Sequence, residues 1–373
     1  MLFLAFNLAC GFAQNKGQLM AFRFLAGLGG SAPLGVGGGV LADVWSPDQR
    51  GLSVSIYSLA PLLGPAIGPI AGGFITENTT WRWTFWATTM ADAIVQFLGI
   101  IFLRESYALL LLQRKAAKLN KESGQEIYIG PGATQHHTIG HVLRHSLIRP
   151  AKMLATQPIV QALAIYMAFI YGLMYLVLST FPTLWTTVYG ESVGTGSLNY
   201  LSLGIGFLLG SQIPAHLNDS VYRRLKARNS GLGTPEFRVP LMIPGSLLVP
   251  FGLFIYGWTA QYHTHWIFPN LGAAIFAAGV VMCFQCMQTY LIEAYTTFAA
   301  SAVAAATVLR SLAGFGFPLF APSMYDSLQH GWGNSLVAFI AIGLGIPAPF
   351  LLWAFGEKLR GKSPYVAGTT LNG

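Results

Sequence analysis

Apolar residues along this chain run in stretches too long for soluble core helices, separated by short polar segments. At about 20 apolar residues per membrane crossing, ten stretches read as segments, near 1–15, 18–42, 51–75, 81–103, 156–180, 197–217, 239–257, 266–291, 303–322 and 334–355. The first is short for a full crossing. Lipid offers the backbone no hydrogen-bond partners, so an all-α polytopic membrane protein follows. A polar stretch, 104–155, divides the chain into a four-segment part, 1–103, and a six-segment part, 156–355, with a tail at 356–373.

The third segment contains LLGPAIGPIAGG. Gly64, Gly68 and Gly72 fall at i, i+4 and i+8, so they line one helical face and predict a close approach by a neighbouring helix. Pro65 and Pro69 each remove a helix hydrogen bond, which predicts a bent helix whose freed carbonyls find partners among packed neighbours.

Composition supports a membrane protein: 53% of the 373 residues are hydrophobic, only 9% are charged, and the mean hydropathy is +0.54. The net charge of +8 does not point to nucleic acid, because the basic residues gather between segments. Eight lie in 104–155, five in 218–238 and three in the tail, sixteen of the 21 in the chain. Loops 181–196, 258–265 and 323–333 have none. The positive-inside rule then places the basic segments and both termini in the cytoplasm. Within 104–155, QRKAAKLNKES reads as a solvated helix, and HHTIGHVLRHSLIRPAKML as an amphipathic helix on the membrane surface. His137, His141 and His145 share a face there, open to a metal or to a basic surface role; no metal is expected, since no acid or cysteine accompanies them. Cys283 and Cys286 form a CxxC inside an apolar run and read as packing residues.

Charges deep in the segments are few: Arg23, Asp92 and Arg310, with Glu293 just past the end of the eighth segment. Each costs a few kcal/mol in lipid, on the order of 2.5–3.5, so each is expected to be paired or to face a water-filled cavity. Arg23 opens RFLAGLGGS, where Gly27, Ser31, Gly35 and Gly39 continue a small-residue face. It is the leading coupling candidate. Asp92 either takes up a proton or bonds a nearby Thr or Gln. Glu293 is expected in a salt bridge at the inner end. Tyr171, Tyr175, Asn199, Gln285 and Gln288 are candidates for lining a cavity. Asn78 heads an NTT sequon in a loop too short for ready glycosylation. No phosphate loop, HExxH or GxSxG is present, so an enzyme or an ATP-driven pump is not expected.

RFLAGLGGS resembles the fourth-helix arginine motif of the major facilitator superfamily, and GPAIGPIAGG its fifth-helix antiporter motif. LADVWSPDQRG, WRWTFW, LRESYALLLLQRKA, PEFRVPLM, YLIEAYTTFAASAVAA, LRSLAGFGFPLFAPSMY and GWGNSLVAFI are similar to segments of fungal twelve-spanner drug:proton antiporters. The resemblance implies two helical bundles that alternate access to a midplane cavity. It places Arg23 at the proton-coupling arginine, and Gly64, Pro65, Gly68, Gly72 and Gly73 in the antiporter signature. Asp43, Asp48 and Arg50 would join an inner-face charge network, with Asp219, Arg223 and Arg224 in its second-half counterpart. Glu293 and Arg310 are expected in the same inner-face set.

The implied activity is proton-coupled export of hydrophobic small molecules such as drugs, antifungals or fungal secondary metabolites. The proton is the only coupling ion expected, with no cofactor. A monomer in the lipid bilayer of a fungal plasma membrane is expected, with a small-molecule substrate and no nucleic-acid partner. The ten segments align with family helices 3 to 12, without helices 1 and 2 or the GxxxDxxGR[KR] loop after them. A second reading follows from that departure: a truncated, transport-incompetent paralogue or a gene-model fragment. A polyamine or nutrient carrier is a weaker third, because the segments hold few acids for a polycation.

Overall fold

Backbone that crosses lipid must bond to itself, and the computed structural model is helical almost throughout the residues it describes: 1–33, 40, 44, 47–103, 105, 108–123, 128, 139–361, 363 and 365. The side chains of 47–60, 62, 108–109, 139–146, 215–216 and 297 are outside that description. Gly35, Gly39, Asp43 and His137 therefore lie outside the described residues, as do the side chains of Asp48, Arg50, His141 and His145.

The helices are α1 (Leu2–Gly11), α2 (Lys16–Gly30), α3 (Pro47–Asn78), α4 (Trp81–Phe102), α5 (Ala108–Ser123), α6 (Ile139–Thr156), α7 (Pro158–Thr183), α8 (Val193–Leu198), α9 (Tyr200–Arg228), α10 (Met242–Gln261), α11 (Ile267–Ala294), α12 (Ala299–Gly345) and α13 (Pro347–Arg360). A π-helical turn, Leu184–Val188, follows Pro182 near the end of α7, where the proline has already removed a regular i to i−4 bond. α12 is two helices joined at Gln329, whose φ of 56° and ψ of −178° is not helical.

Five helical runs among the described residues are long and apolar enough to cross a membrane: Trp81–Phe102, Pro158–Val188, Pro235–Gln261, Ile267–Ala294 and Ala299–Arg360. About ten crossings were expected. The difference has visible causes: the last run holds two expected segments, α1 and the described part of α2 are short, many side chains of α3 are outside the description, and α9 ends in the polar sequence HLNDSVYRRLKAR.

The chain divides into two compact units, Met1–Pro61 with Ala71–Ile139, and Leu62–Ile70 with Gly140–Gly373. In the first, α1 packs on α2 and α4. Asn7, 2% exposed, ties α1 to α4 by donating to the Phe85 carbonyl at 3.1 Å and to Thr89 Oγ1 at 2.9 Å. Arg82 Nη2 donates to the Ala13 carbonyl at 3.0 Å, closing the end of α1. Most of α4 faces outward with bare apolar side chains, Ile94, Val95, Phe97, Ile100 and Phe102 among them, as a lipid-contacting helix requires.

In the second unit the close approaches come from glycines other than those of the GPAIGPIAGG stretch. A methyl group on Gly206 would strike the Ala274 carbonyl, and one on Gly210 would strike Ala278, so α9 lies almost backbone to backbone on α11. Gly252 meets Phe276 and Gly272, and Gly279 meets the Gly245 carbonyl, which brings α10 equally close to the other side of α11. The opposite edge of α9 carries Leu201, Ile205, Leu209 and Ile213 at a spacing of four, each about half exposed. Aromatic side chains fill the interior where helices part: Phe181 lies 5.0 Å from Tyr200, 5.7 Å from Trp185 and 6.0 Å from Tyr256, ring centre to ring centre.

Among the described residues a methyl group on Gly64 or Gly68 would meet nothing. The contact made by that turn of α3 uses its neighbour Ala66, 2% exposed, which abuts Gly204. Gly72 approaches only Thr84, at an ordinary 3.5 Å. α3 runs unbroken from Pro47 to Asn78 through Pro65 and Pro69. Replacing Gly210 with leucine forces side chain into backbone and is expected to cost about 1–3 kcal/mol or more. Gly68→Ala is expected to shift stability by no more than about 0.5 kcal/mol. Thermal unfolding of the purified protein in detergent checks both, and equal effects would contradict the assignment of close packing to α9, α10 and α11.

Candidate functional site

Charges in the second unit fall into two groups with different fates. The first lies where α9, α11 and α13 end and α10 begins. Arg238, in a 3-10 turn (Pro235–Arg238) that leads into α10, donates through Nε to Glu293 Oε1 at 2.8 Å and approaches Asp219 Oδ1 through Nη1 at 2.7 Å. Its guanidinium also lies 4.2 Å from the centre of the Tyr222 ring. One turn away, Arg360 of α13 holds Glu236 with a two-pronged pair, Nε to Oε1 and Nη2 to Oε2, both 2.8 Å. The Tyr290 hydroxyl donates to the same Oε1 at 2.8 Å. Glu236 is 7% exposed, and Gly356 leaves room beside it where a methyl group would crowd both Glu236 and Tyr290. These bonds fasten four helix ends to one another.

The second group lies far along the helices from those ends. At 1.5 Å per residue, Tyr171 is about 20 Å into α7, Arg310 about 17 Å into α12, and Phe284 about 15 Å into α11 from its Glu293 end. These depths coincide with the middle of a hydrocarbon core about 30 Å thick. The Arg310 guanidinium sits 4.9 Å from the centre of the Tyr171 ring and 5.1 Å from that of Phe284. The Tyr171 ring lies 4.9 Å from that of Tyr175, tilted by 42°, and its hydroxyl donates to the Tyr175 hydroxyl at 3.4 Å. Gly314, one turn on from Arg310, gives Tyr171 its place, because a methyl group there would touch the ring at 3.0 Å. Gln288 lies one turn from Phe284 on the same face of α11.

Two polar atoms in this region are buried without a hydrogen-bond partner: Arg310 Nε and Gln285 Oε1. Ion pairs to arginine in this unit, among the described residues, go to Arg238 and Arg360; none goes to Arg310.

The expected residues are thus distributed as follows. Tyr171, Tyr175 and Arg310 come together, with Gln285 and Gln288 on the same stretch of α11. Arg310, expected in the inner-face charge set, is corrected to this mid-depth group; seventeen residues from Glu293, it is out of reach of that carboxylate. Asn199 is corrected too. It bonds Glu191 through Nδ2 at 2.9 Å and accepts from Asn270 at 2.5 Å, at the junction of α8 and α9, away from Tyr171. Asp219 and Glu293 share Arg238, whereas Arg223 bonds only its own helix, at the Asp219 carbonyl, and Arg224 is exposed. In the first unit Arg23 is exposed, 5.6 Å from the Phe85 ring, and Asp92 accepts from Gln96 at 2.6 Å. Asn78 is exposed and donates to the Phe74 carbonyl at 2.8 Å. Among the described residues no group of three or more His, Cys, Asp or Glu gathers as a metal site.

Sequence reasoning missed the pairing of Glu236, Arg238 and Arg360. The signal was present in PEFRVPLM, where an acid stands at the mouth of an apolar run and must find a cation nearby.

Residues 1–318 match the model of the Major Facilitator Superfamily. The chain is 54% identical to the efflux pump vrtL of Penicillium aethiopicum over 366 residues, 98% of this chain and 72% of that protein. It is 46% identical to the MFS-type transporter oryF of Aspergillus oryzae over 364 residues, 97% of this chain and 75% of that one. It is also 45% identical to the probable efflux pump mfs2 of Aspergillus flavus, covering 96% and 85%. Among solved structures, a D-xylose-proton symporter shares the fold with a TM-score of 0.65 at 17% identity, over 97% of this chain and 81% of that one.

Arg360→Ala leaves Glu236 buried without its cation and is expected to destabilise the protein by about 3–5 kcal/mol. Lys118→Ala removes an exposed pair with Glu122, 3.8 Å apart, and is expected to cost less than about 1 kcal/mol. Chemical unfolding in detergent separates the two, and a small loss for Arg360→Ala would show that the pair carries little of the helix-end fastening.

Proposed function

The chain belongs to the major facilitator superfamily, a family of membrane carriers, and from that premise we propose that it is a proton-coupled antiporter exporting hydrophobic small molecules by alternating access. The observation that carries this reading is the mid-depth cluster: a cation and aromatic faces at the level of the bilayer where a carrier holds its substrate. The paired charges at the helix ends are suited to a gate, because ion pairs there can form in one state and part in another. Efflux rather than uptake is favoured by the names of the relatives, vrtL and mfs2 among them.

Arg23 is the proton-coupling candidate. It is accessible on α2, and a nearby acid would free or hold a proton according to whether that arginine is paired with it. Asp92, already bonded to Gln96, is the second candidate. One proton descending 100 mV supplies about 2.3 kcal/mol, enough for roughly a fiftyfold gradient of a neutral substrate exchanged one for one. We place the basic segments and both termini in the cytoplasm, the carrier in the plasma membrane as a monomer, and the two bundles either side of the segment 104–155.

The test uses purified protein in liposomes with the membrane potential clamped at zero. An interior one pH unit more acid is expected to drive up to about tenfold accumulation of a neutral hydrophobic compound such as the antifungal fluconazole over empty liposomes. A protonophore and Arg23→Ala are each expected to abolish it. Accumulation indifferent to the pH gradient would overturn proton coupling.

A further inference from the structure

An arginine in the middle of a membrane needs a partner, and among the described residues of its unit Arg310 has no carboxylate paired with it. The carboxylates Asp219, Glu293 and Glu236 are engaged by Arg238 and Arg360 at the helix ends. Asp326, the acid on the helix of Arg310, is sixteen residues along it, about 24 Å away. What surrounds the guanidinium instead is aromatic: Tyr171 at 4.9 Å and Phe284 at 5.1 Å, with Tyr175 against Tyr171. Ring faces moderate a buried cation, but they accept no hydrogen bonds of carboxylate strength.

Arg310 as a whole is half-buried, and of its three nitrogens only Nε is both buried and without an acceptor. The Nη groups are therefore its open edge. The Nε beside them remains available to complete a two-pronged bond once a neighbouring ring turns aside. A neutral substrate would leave this donor set unanswered at the one depth where an unanswered charge is most costly. A cationic substrate would add repulsion. An anion answers it, and an anion attached to a flat aromatic body also meets the rings of Tyr171, Tyr175 and Phe284.

We propose that the site around Arg310 selects planar aromatic anions, molecules bearing a carboxylate or an acidic phenol on a fused or conjugated ring, as the carrier's preferred substrates. This rests on the carrier reading above and sharpens it. Arg310 is the anion-binding residue, its Nη edge and Nε donating to two oxygens of the ligand. Tyr171 and Phe284 hold both the guanidinium and the ring system. Gln285, the residue after Phe284 on α11, carries a buried unpartnered Oε1, and we assign it to a ligand hydroxyl, which suits phenolic acids better than plain ones.

The test is binding to the full purified chain in detergent, read by isothermal titration with 2-naphthoate, its neutral isostere 2-naphthamide, and 2-naphthylmethylammonium. 2-Naphthoate is expected to bind at least about tenfold tighter than the amide, the factor that a charge-assisted hydrogen bond supplies, and the ammonium more weakly than either. Arg310→Gln is expected to bring naphthoate down to the level of the amide while amide binding stays within about twofold. Arg310→Lys is expected to retain a reduced preference for the anion, because it keeps the charge and loses the planar fork. Equal binding of naphthoate and amide by the unsubstituted protein overturns the proposal, and this comparison needs no variant to fold. Loss of both ligands alike in a folded Arg310→Gln protein also overturns it, by making the arginine merely structural. Failure of gradient-driven accumulation with the binding order intact would sink proton coupling alone. Gradient-driven accumulation of the neutral compound with no preference for naphthoate would sink only the substrate class.

Discussion

The close contact of α11 with α9 on one side and α10 on the other is the constraint on which the second unit depends. In lipid, apolar side chains gain nothing by leaving their surroundings for one another, so helices associate through packing and backbone proximity rather than through a hydrophobic drive. Gly206 and Gly210 against Ala274 and Ala278, and Gly252 and Gly245 against Gly272 and Gly279, supply that proximity along much of α11. Once α11 is fixed between two neighbours, its remaining face has a fixed direction. Phe284 and Gln288 share one face, and Phe284 meets Tyr171 and Arg310 there. The chemistry of the site thus inherits its geometry from residues that have no side chain at all.

Charge placement follows from the same confinement. At the helix ends arginines and carboxylates pair with good geometry, and the exposed pair costs less to part than the enclosed one. Arg238 shares itself between Glu293 and the exposed Asp219, whereas Arg360 and Glu236 are more enclosed and bonded in parallel. In the middle, where separation from water is most costly, a single arginine stands with aromatic company only. A structure built for stability alone would have placed an acid beside Arg310 or no charge at all. Holding a donor unpaired keeps binding energy in reserve for whatever arrives, so a carrier's substrate changes the relative stability of its states in proportion to what it satisfies.

Much of this was legible in the residues, and the parts that were not have a common cause. Segment positions could be read in part because lipid imposes a minimum apolar length, and five helical runs among the described residues are long and apolar enough to cross it. Glycine spacing was legible as a pattern but not as a partner. Gly64 and Gly68 have the same spacing of four as Gly206 and Gly210, yet among the described residues nothing lies beside the first pair and another backbone lies beside the second. Periodicity tells which residues share a face; only the fold tells what that face meets. Asn199 failed as a cavity residue for the same reason, since a polar side chain near a helix start is as well used in joining α8 to α11 through Glu191 and Asn270. Glu236 and Arg238 were passed over because basic residues had been weighed for topology, where their sum matters, rather than for pairing, where each needs its own acid.

The contrast between Arg23 and Arg310 carries the synthesis one step further. Both look alike in sequence, single arginines in apolar helices beside small residues. Arg23 is exposed on a ten-to-fifteen-residue pair of helices tied by Asn7 to α4, with one ring at 5.6 Å. Arg310 lies half-buried between two rings, with its Nε sealed. An accessible arginine exchanges partners easily and suits a step that repeats in every cycle, such as the release and capture of a proton by a neighbouring acid. A confined one discriminates, because its desolvated donors reward only a ligand whose oxygens reach them. Coupling and selection are separate demands on a carrier, and the two arginines differ in burial in the sense that this division of labour requires.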